Sequence, residues 1–332
     1  MTGPALLEVR SPGLLSTVQD AGRPDAAHLG VPRSGACDLL ALAAANLLIG
    51  NEPHAAALEI SLLGPELVVL ERCRVGVAGA DFEAIVVDSG RRVSSGTSVS
   101  LEPGDTLRFG AALDGARGYL ALSGGIDVPY VLGSASTAPV GGFGGFGGRP
   151  LAAGDRLAAR SAADMGPDER QWPGPGPGSG VVAGDRPRTV RVMPGPHADV
   201  AGPDAFEHLI SRIWDVGPQS DRMGIRLDGP PLGASAAGMS ELVSGGMTWG
   251  AVQLPPGGRP IVLLADGPTV GGYPVVAVVA SVDLPILGQL CAGDQLRLMA
   301  VTLDEAREAL RGAAQDLAEA VRRLSPSTPA DG

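Results

Sequence analysis

The sequence predicts a mainly β fold with some helix, a β-rich α+β protein built from two modules. Three observations carry this expectation. The chain has 50 glycines and 29 prolines among 332 residues, far more turn formers than a helical bundle uses. Aromatic residues make up 3% of a chain that is 44% hydrophobic, so its cores are aliphatic, and runs such as VVAVVA at 275–280 suit buried strands. Finally, QWPGPGPGSG at 171–180 can form neither helix nor interior strand and divides the chain. The expected organisation is a first β module at 1–164 with a buried helix near 36–49, and a connector at 165–188. A second β module at 189–302 carries a glycine-rich site loop, and an amphipathic helix and tail close the chain at 303–332.

Each element has its own signal. Gln19-Asp20-Ala21-Gly22-Arg23 joins a β-like segment to a turn, where the arginine can hold an anion bidentately or pair with Asp20 to staple the turn. After Ser34-Gly35, the alanine- and leucine-rich stretch Ala36–Ile49 ends at Gly50, as a buried helix with Asp38 in its positive first turn would. Gly142, Gly144 and Gly147 match G-x-G-x-x-G, but Arg149-Pro150 follows where a helix should start, which removes the dinucleotide reading. GGFGGFGG is then a lid or a flexible surface excursion. Gly104-Asp105 and Gly293-Asp294 stand at corresponding places in the two halves; Gly154-Asp155 is a third copy, so duplication and a common turn are both open. Ser220–Arg226 sets Arg222 and Arg226 four residues apart, able to bracket an anion or to form surface pairs with Asp221 and Asp228.

The richest stretch is Ile261–Pro274, IVLLADGPTVGGYP, which reads as strand, functional loop, strand. Asp266, Thr269 and Tyr273 supply a carboxylate, a hydroxyl and a phenol. Gly267, Gly271 and Gly272 are expected to take positive φ and to aim backbone N–H groups at an oxyanion, although a long hairpin would use the same glycines. Beyond it, Leu303, Leu310, Leu317 and Leu324 recur every seven residues, with Ala306, Ala314 and Val321 on the same face. That stripe packs on its own domain or meets another polypeptide.

Composition excludes several chemistries. A net charge of −11 disfavours nucleic acid and anionic membrane. All 25 basic residues are arginine. Without lysine there is no Schiff base, no phosphate-loop lysine and no site for covalently attached biotin, so any swinging cofactor arrives on a partner. Cys37, Cys73 and Cys291 are odd in number and set among apolar neighbours, as reduced thiols of a cytoplasmic protein would be. MTGPALLEVR lacks the pattern of an export signal, and no apolar run reaches membrane-spanning length. His28, His54, His197 and His208 show no metal-ligand spacing, so no metal is expected.

Taken together, SPGLLSTVQDAGRPDAAHLGVPRSGACD, GARGYLALSGGIDVPY, DRMGIRLDGP and GGRPIVLLADGPTVGGYP resemble the family of the 5-oxoprolinase C subunit, also called allophanate hydrolase subunit 2 or biotin-dependent carboxyltransferase-like, over roughly Leu7 to Met299. The resemblance implies two cyclophilin-like β-barrel modules, a B-like partner and a third, A-like partner. It implies ATP, with Mg, in the assembled complex and a small amide or lactam substrate, with hydrolysis of 5-oxoproline to glutamate by a hetero-oligomer. A carboxyltransferase half of a urea carboxylase or allophanate system, fed with carboxybiotin by a partner, is the alternative. Carried across residue by residue, the resemblance implies catalytic roles for Asp20, Asp266, Thr269 and Tyr273. It implies substrate or nucleotide binding by Gln19, Arg23, Ser34, Gly35, Asp38, Arg222, Arg226, Gln253, Gly271 and Gly272. Many relatives have a basic or amide pair after the aspartate and a lysine after Gly-Gly-Tyr-Pro, where this chain has Gly267-Pro268 and Val275. The departure leaves the substrate open and admits a non-catalytic binding protein that antagonises a kinase inhibitor.

Overall fold

A computed structural model describes residues 3–161, 169–173, 187–199, 201–202, 204–232 and 242–324. The strands, in chain order, are β1 (Ala5–Ser11), β2 (Leu15–Gln19), β3 (Ala57–Ser61), β4 (Glu66–Val69), β5 (Cys73–Asp81), β6 (Ala84–Val86), β7 (Arg91–Val93), β8 (Thr97–Leu101), β9 (Thr106–Arg108), β10 (Asp114–Leu122) and β11 (Arg156–Ala158) in the first module. The second module adds β12 (Arg188–Pro194), β13 (Ile213–Val216), β14 (Gly224–Asp228), β15 (Gly245–Gly246), β16 (Ala251–Gln253), β17 (Ile261–Leu263), β18 (Val270–Gly271), β19 (Val275–Val279) and β20 (Gln295–Ala300). The α-helices are α1 (Leu39–Leu47), α2 (Ala205–Ile210), α3 (Leu284–Gly288) and α4 (Leu303–Leu324).

In the first module two antiparallel sheets, ordered β11-β1-β4-β9-β6-β7 and β2-β3-β10-β5-β8, share an aliphatic core around Leu7, Leu58, Leu67, Leu101 and Leu120. Helix α1 covers the outer face of the second sheet, which is why β3 is buried along its whole length. Its alanines let the helix backbone lie on the sheet: a Cβ added to Gly76 would stand 2.1 Å from the Ala45 carbonyl oxygen. Asp38 caps α1 by accepting from the Ala41 N–H at 2.9 Å, so the helix begins after Asp38 instead of at Ala36. The second module closes as a seven-stranded barrel, β12-β19-β16-β17-β14-β13-β20, sealed by parallel pairing of β12 with β20 around fully buried Trp214. The β-rich expectation therefore holds, with a closed barrel in the second half of the chain and a pair of facing sheets in the first.

Local details sharpen the sequence reading. At Gly104-Asp105, Gly154-Asp155 and Gly293-Asp294 the glycine is left-handed and the aspartate accepts from the N–H three residues earlier, at 2.9, 2.7 and 2.8 Å. The third copy makes this a turn motif and no mark of duplication by itself. Within the connector, Glu169 pairs with Arg91 at 2.6 Å and Trp172 N–H donates to Gly96 O at 2.7 Å, so 169–173 lies along the first module. Most of 165–188 and the tail after Leu324 lie outside the described residues. On α4, Ala306 and Ala320 are buried, whereas Leu303 and Leu310 stay 53% and 48% exposed. No described helix is long and apolar enough to cross a membrane.

The modules meet through a buried polar joint. Arg222, from the loop before β14, donates to Asp266 Oδ2 of its own module at 2.8 Å and to Glu59 Oε1 of the first module. Its other N–H groups reach Gly35 O at 2.8 Å and Cys37 Sγ at 3.3 Å. Glu59 Oε2 accepts from Tyr119 OH at 2.7 Å and from Cys37 N–H at 2.9 Å, and Arg117 lies 3.7 Å from Oε1. Gln289, just past α3, uses its whole amide: Oε1 accepts from Ala116 and Arg117 N–H, and Nε2 donates to Asp38 Oδ2 and Arg117 O. Arg188 to Asp114, at 2.8 Å, adds a further bridge across the modules. Burial would push the Glu59 carboxyl up, but the Arg222 and Arg117 guanidiniums and the two hydrogen bonds outweigh it and hold the group below its ordinary value.

A depressed acid stabilises the fold above its unfolded pKa, 4.5 here, and that stabilisation disappears as pH falls through the folded value. Glu59→Gln is therefore expected to destabilise the protein by about 3–5 kcal/mol near neutral pH, because it leaves two guanidiniums facing a neutral amide. Urea unfolding of both proteins from about pH 7 to about pH 3 checks this, the gap closing only in the acid range. A constant gap would remove Glu59 ionisation as the cause.

Candidate functional site

Four segments far apart in sequence converge beside the joint. Gly22 and Gly35 pack back to back: both are left-handed, with φ of 80° and 87°. A Cβ on either would stand 2.6 or 2.7 Å from backbone of the other segment. Only glycine fits both positions. This locks Asp20–Arg23 against Arg33–Ala36, with Arg23 N–H donating to Arg33 O at 2.8 Å and Ala36 N–H to Asp20 O at 2.9 Å. Ser34 N–H donates to Ala265 O at 2.9 Å and Asp266 N–H to Arg222 O at 3.0 Å, so the turn after β17 is tied to both the first module and the Arg222 loop. Ser34 itself is left-handed, φ 52°, and its buried hydroxyl has no partner among the described residues. Strain and an unsatisfied hydroxyl coincide at the junction, as they do at functional sites.

The convergence leaves a cleft of about 220 Å³ between the modules, lined by Arg33 and Pro24 on one side and by Met247, Trp249, Gly267 and Thr269 on the other. Buried arginines lie on the segments that form it. Arg23 donates to Ser136 O at 2.6 Å and to Val131 O at 3.3 Å, and lies 5.1 Å from the centre of the Phe143 ring. Burial lowers its pKa, against the pull of Asp20 and Asp266, and its Nη1 is buried without a partner among the described residues. Phe143 belongs to the glycine-rich loop. That loop is tightly packed, since Gly145 N–H donates to Ala135 O at 2.9 Å and a Cβ on Gly144 would stand 2.0 Å from Ser136 O. It is neither a lid nor a loose excursion, but a bed for Arg23.

The sequence-derived residues divide in two. Asp20, Arg23, Ser34, Gly35, Arg222 and Asp266 are joined through the contacts above and Thr269 lines the cleft, whereas Gln19 Nε2 donates to Thr17 Oγ1 and Thr137 O. Gln253 and Gly271 adjoin them, because Gln253 Nε2 lies 3.2 Å from Met247 Sδ and a Cβ on Gly271 would approach that nitrogen to 2.6 Å. Asp38 is elsewhere: fully buried, with one oxygen on the helix cap and the other on Gln289 Nε2, and burial pushes its pKa up to about 6. Arg226 points outward from β14. Tyr273 is 47% exposed and Gly272 is exposed at the same rim.

Four expectations about chemistry change. Gly267, Gly271 and Gly272 are not left-handed; a Cβ on Gly267 would stand 2.9 Å from the Leu264 carbonyl oxygen, and one on Gly271 would displace the Gln253 amide. The N–H groups of Asp266 and Gly267 are spent on Arg222 O and Leu264 O, so this end of the turn is no backbone nest. Arg222 does not form surface pairs with Asp221 and Asp228; it is buried, while Asp221 accepts from Met223 and Gly224 N–H and Asp228 lies 3.5 Å from Arg259. Asp20 accepts from Gly22 N–H, Ala135 N–H and the hydroxyls of Ser134 and Ser136, which leaves it little capacity for proton transfer.

Sequence reasoning missed Glu59, Arg33 and Trp249. Glu59 had a signal, a single acid within an otherwise apolar strand, which requires a cationic partner. Arg33 adjoins the singled-out Ser34-Gly35, whereas nothing local marks Trp249.

Comparison with known proteins follows the same outline. The family described as carboxyltransferase domain, subdomain A and B, matches residues 29–300, across both modules. The C subunit of 5-oxoprolinase from Escherichia coli (strain K12) is 37% identical over 313 residues, 92% of this chain and 94% of that protein. Urea amidolyase of Lachancea kluyveri is 33% identical over 324 residues, 92% of this chain but 17% of that protein. The crystal structure of Kluyveromyces lactis urea carboxylase matches with a TM-score of 0.84 at 29% identity, over 98% of this chain and 30% of that one. The fold, the extent of the match and the shared motifs together place this chain in the carboxyltransferase domain family, subdomains A and B, as a homologue of the 5-oxoprolinase C subunit.

Proposed function

We propose that the chain is the C-type subunit of an ATP-dependent amide or lactam hydrolase resembling 5-oxoprolinase, completed by a B-like and a third, A-like partner. The observation that carries this reading is the cleft at the module joint, set in a chain that matches a 5-oxoprolinase C subunit over 94% of that protein's length. Activating an amide for hydrolysis draws negative charge onto its oxygen, and fixed positive charge in a partly dehydrated cleft stabilises that charge. Arg33, which lines the cleft, supplies that charge, whereas Arg222 is neutralised by Asp266 and Glu59. Asp266, clamped by Arg222 through both oxygens, holds the turn in place. Thr269 lines the cleft, and no described residue occupies its hydroxyl, which is thus available to hydrogen-bond the substrate amide. Tyr273 stands at an exposed rim, where a second polypeptide can reach it.

ATP, when bound, would supply the activation of the amide oxygen. Among the described residues no three His, Cys, Asp or Glu side chains gather to hold a cation. Of the described residues lining the cleft, Arg33 is the cation that could meet a phosphate of MgATP. The second reading, a carboxyltransferase half, is favoured by the family itself and by the overlay on urea carboxylase. It places urea and carboxybiotin in the same cleft.

Purified with its B-like and A-like partners, the chain is expected to support ATP-dependent conversion of 5-oxoproline to glutamate, and alone to support none. Absence of turnover, together with carboxylation of urea from carboxybiotin, would transfer the assignment to the second reading. In the active complex Thr269→Val is expected to lower kcat by about a hundredfold, as removal of one oxyanion donor does, with an unchanged melting temperature. Thr269→Ser should keep most activity. Equal kcat in the valine variant would exclude the hydroxyl from the reaction.

A further inference from the structure

Two donors at the cleft lack acceptors. Arg33 lies on Trp249, its guanidinium carbon 5.2 Å from the ring centre, and places Nε and Nη2 on a single carbonyl, Ala21 O, at 3.4 and 3.3 Å. Its Nη1 meets no acceptor and no carboxylate pairs with it among the described residues. Burial lowers its pKa with no acidic neighbour to offset the effect. The Trp249 indole N–H is buried without a partner among the described residues. Other arginines of the joint have carboxylates at hand: Arg222 pairs with Asp266 and Glu59 and Arg188 with Asp114, while Arg23 lies near Asp20 and Asp266, which offset part of its burial. A half-buried guanidinium without a counter-ion is costly, and an anionic ligand removes the cost.

We propose that Arg33 determines substrate specificity by receiving the carboxylate of a small lactam or amide bound in the cleft. The inference rests on reading the cleft as the substrate site. Pro24, Pro268 and Met247 offer apolar walls for a ring, and Thr269 a hydroxyl for its amide. The cleft, about 220 Å³, is small for a ligand site, which suits a small ring acid. 5-Oxoproline carries a carboxylate beside its ring nitrogen, whereas urea carries none. Arg33 therefore separates the two substrate classes by charge.

Equilibrium titration of the full-length chain tests this, following the indole NMR signal of Trp249, assigned with Trp249→Phe. The probes are 5-oxoproline, its neutral carboxamide, and MgATP. 5-Oxoproline is expected to bind about tenfold to a hundredfold more tightly than the carboxamide, as a charge-assisted hydrogen bond implies. Arg33→Gln should bring the two within about twofold, and Arg33→Lys should restore part of the preference. Circular dichroism verifies folding, and the lysine variant carries the comparison should the glutamine variant not fold. Equal or absent binding of the two probes by the natural chain overturns the proposal. So does a preference that survives Arg33→Gln, or MgATP taking the site from 5-oxoproline. Binding is read apart from turnover, so a preference without hydrolysis would reject the hydrolase and keep Arg33, while hydrolysis without a preference would do the reverse.

Discussion

Burying Arg222 is the constraint around which this protein is arranged. A guanidinium taken out of water needs carboxylates and carbonyls around it, or its desolvation is ruinous. Asp266 comes from the same module, Glu59 and the Gly35 carbonyl from the other, so the arginine is satisfied only when the modules are docked. Docking in turn brings the turn after β17 against Ser34 and opens the cleft between them. Fold, interface and site are consequences of one side chain having too few partners within its own domain. A joint of this kind contributes specificity of docking more surely than it contributes net stability, since the attraction mostly offsets the loss of hydration.

The fold was largely legible. Turn-former content, aliphatic strands and the alanine-rich helix are local signals, and each maps on the observed element. Helix α1 started three residues late because the Asp38 side chain, by capping Ala41, sets its own boundary. The leucine stripe of α4 was legible as a helix but not as packing: its alanines are buried while Leu303 and Leu310 remain half exposed, a choice made by the tertiary surroundings. In the same way, the glycine at 267 was visible as functional spacing, yet its cause is the closeness of the Leu264 and Met223 carbonyls.

The site was legible in its parts and not in its assembly. Motifs at 19–23, 34–35, 222 and 266–269 were each noticed, but nothing along the chain says that Arg222 prefers Glu59, 163 positions away, to Asp221 beside it. Neighbouring aspartates have backbone N–H groups to accept from, and so are less available to a side chain than distance suggests. Arg23 illustrates the same point, since its bed is built by a glycine loop more than a hundred residues downstream.

Closure of the barrel has a bearing on biosynthesis. Because β12 is sealed by β20, the second module cannot complete its ring until Gln295–Ala300 has left the ribosome, long after the first module has emerged. During that interval Glu59 has Tyr119, Cys37 and Arg117 for company but not Arg222. The nascent first module thus exposes its docking face, with Glu59 paired to Arg117 alone, until translation delivers Arg222.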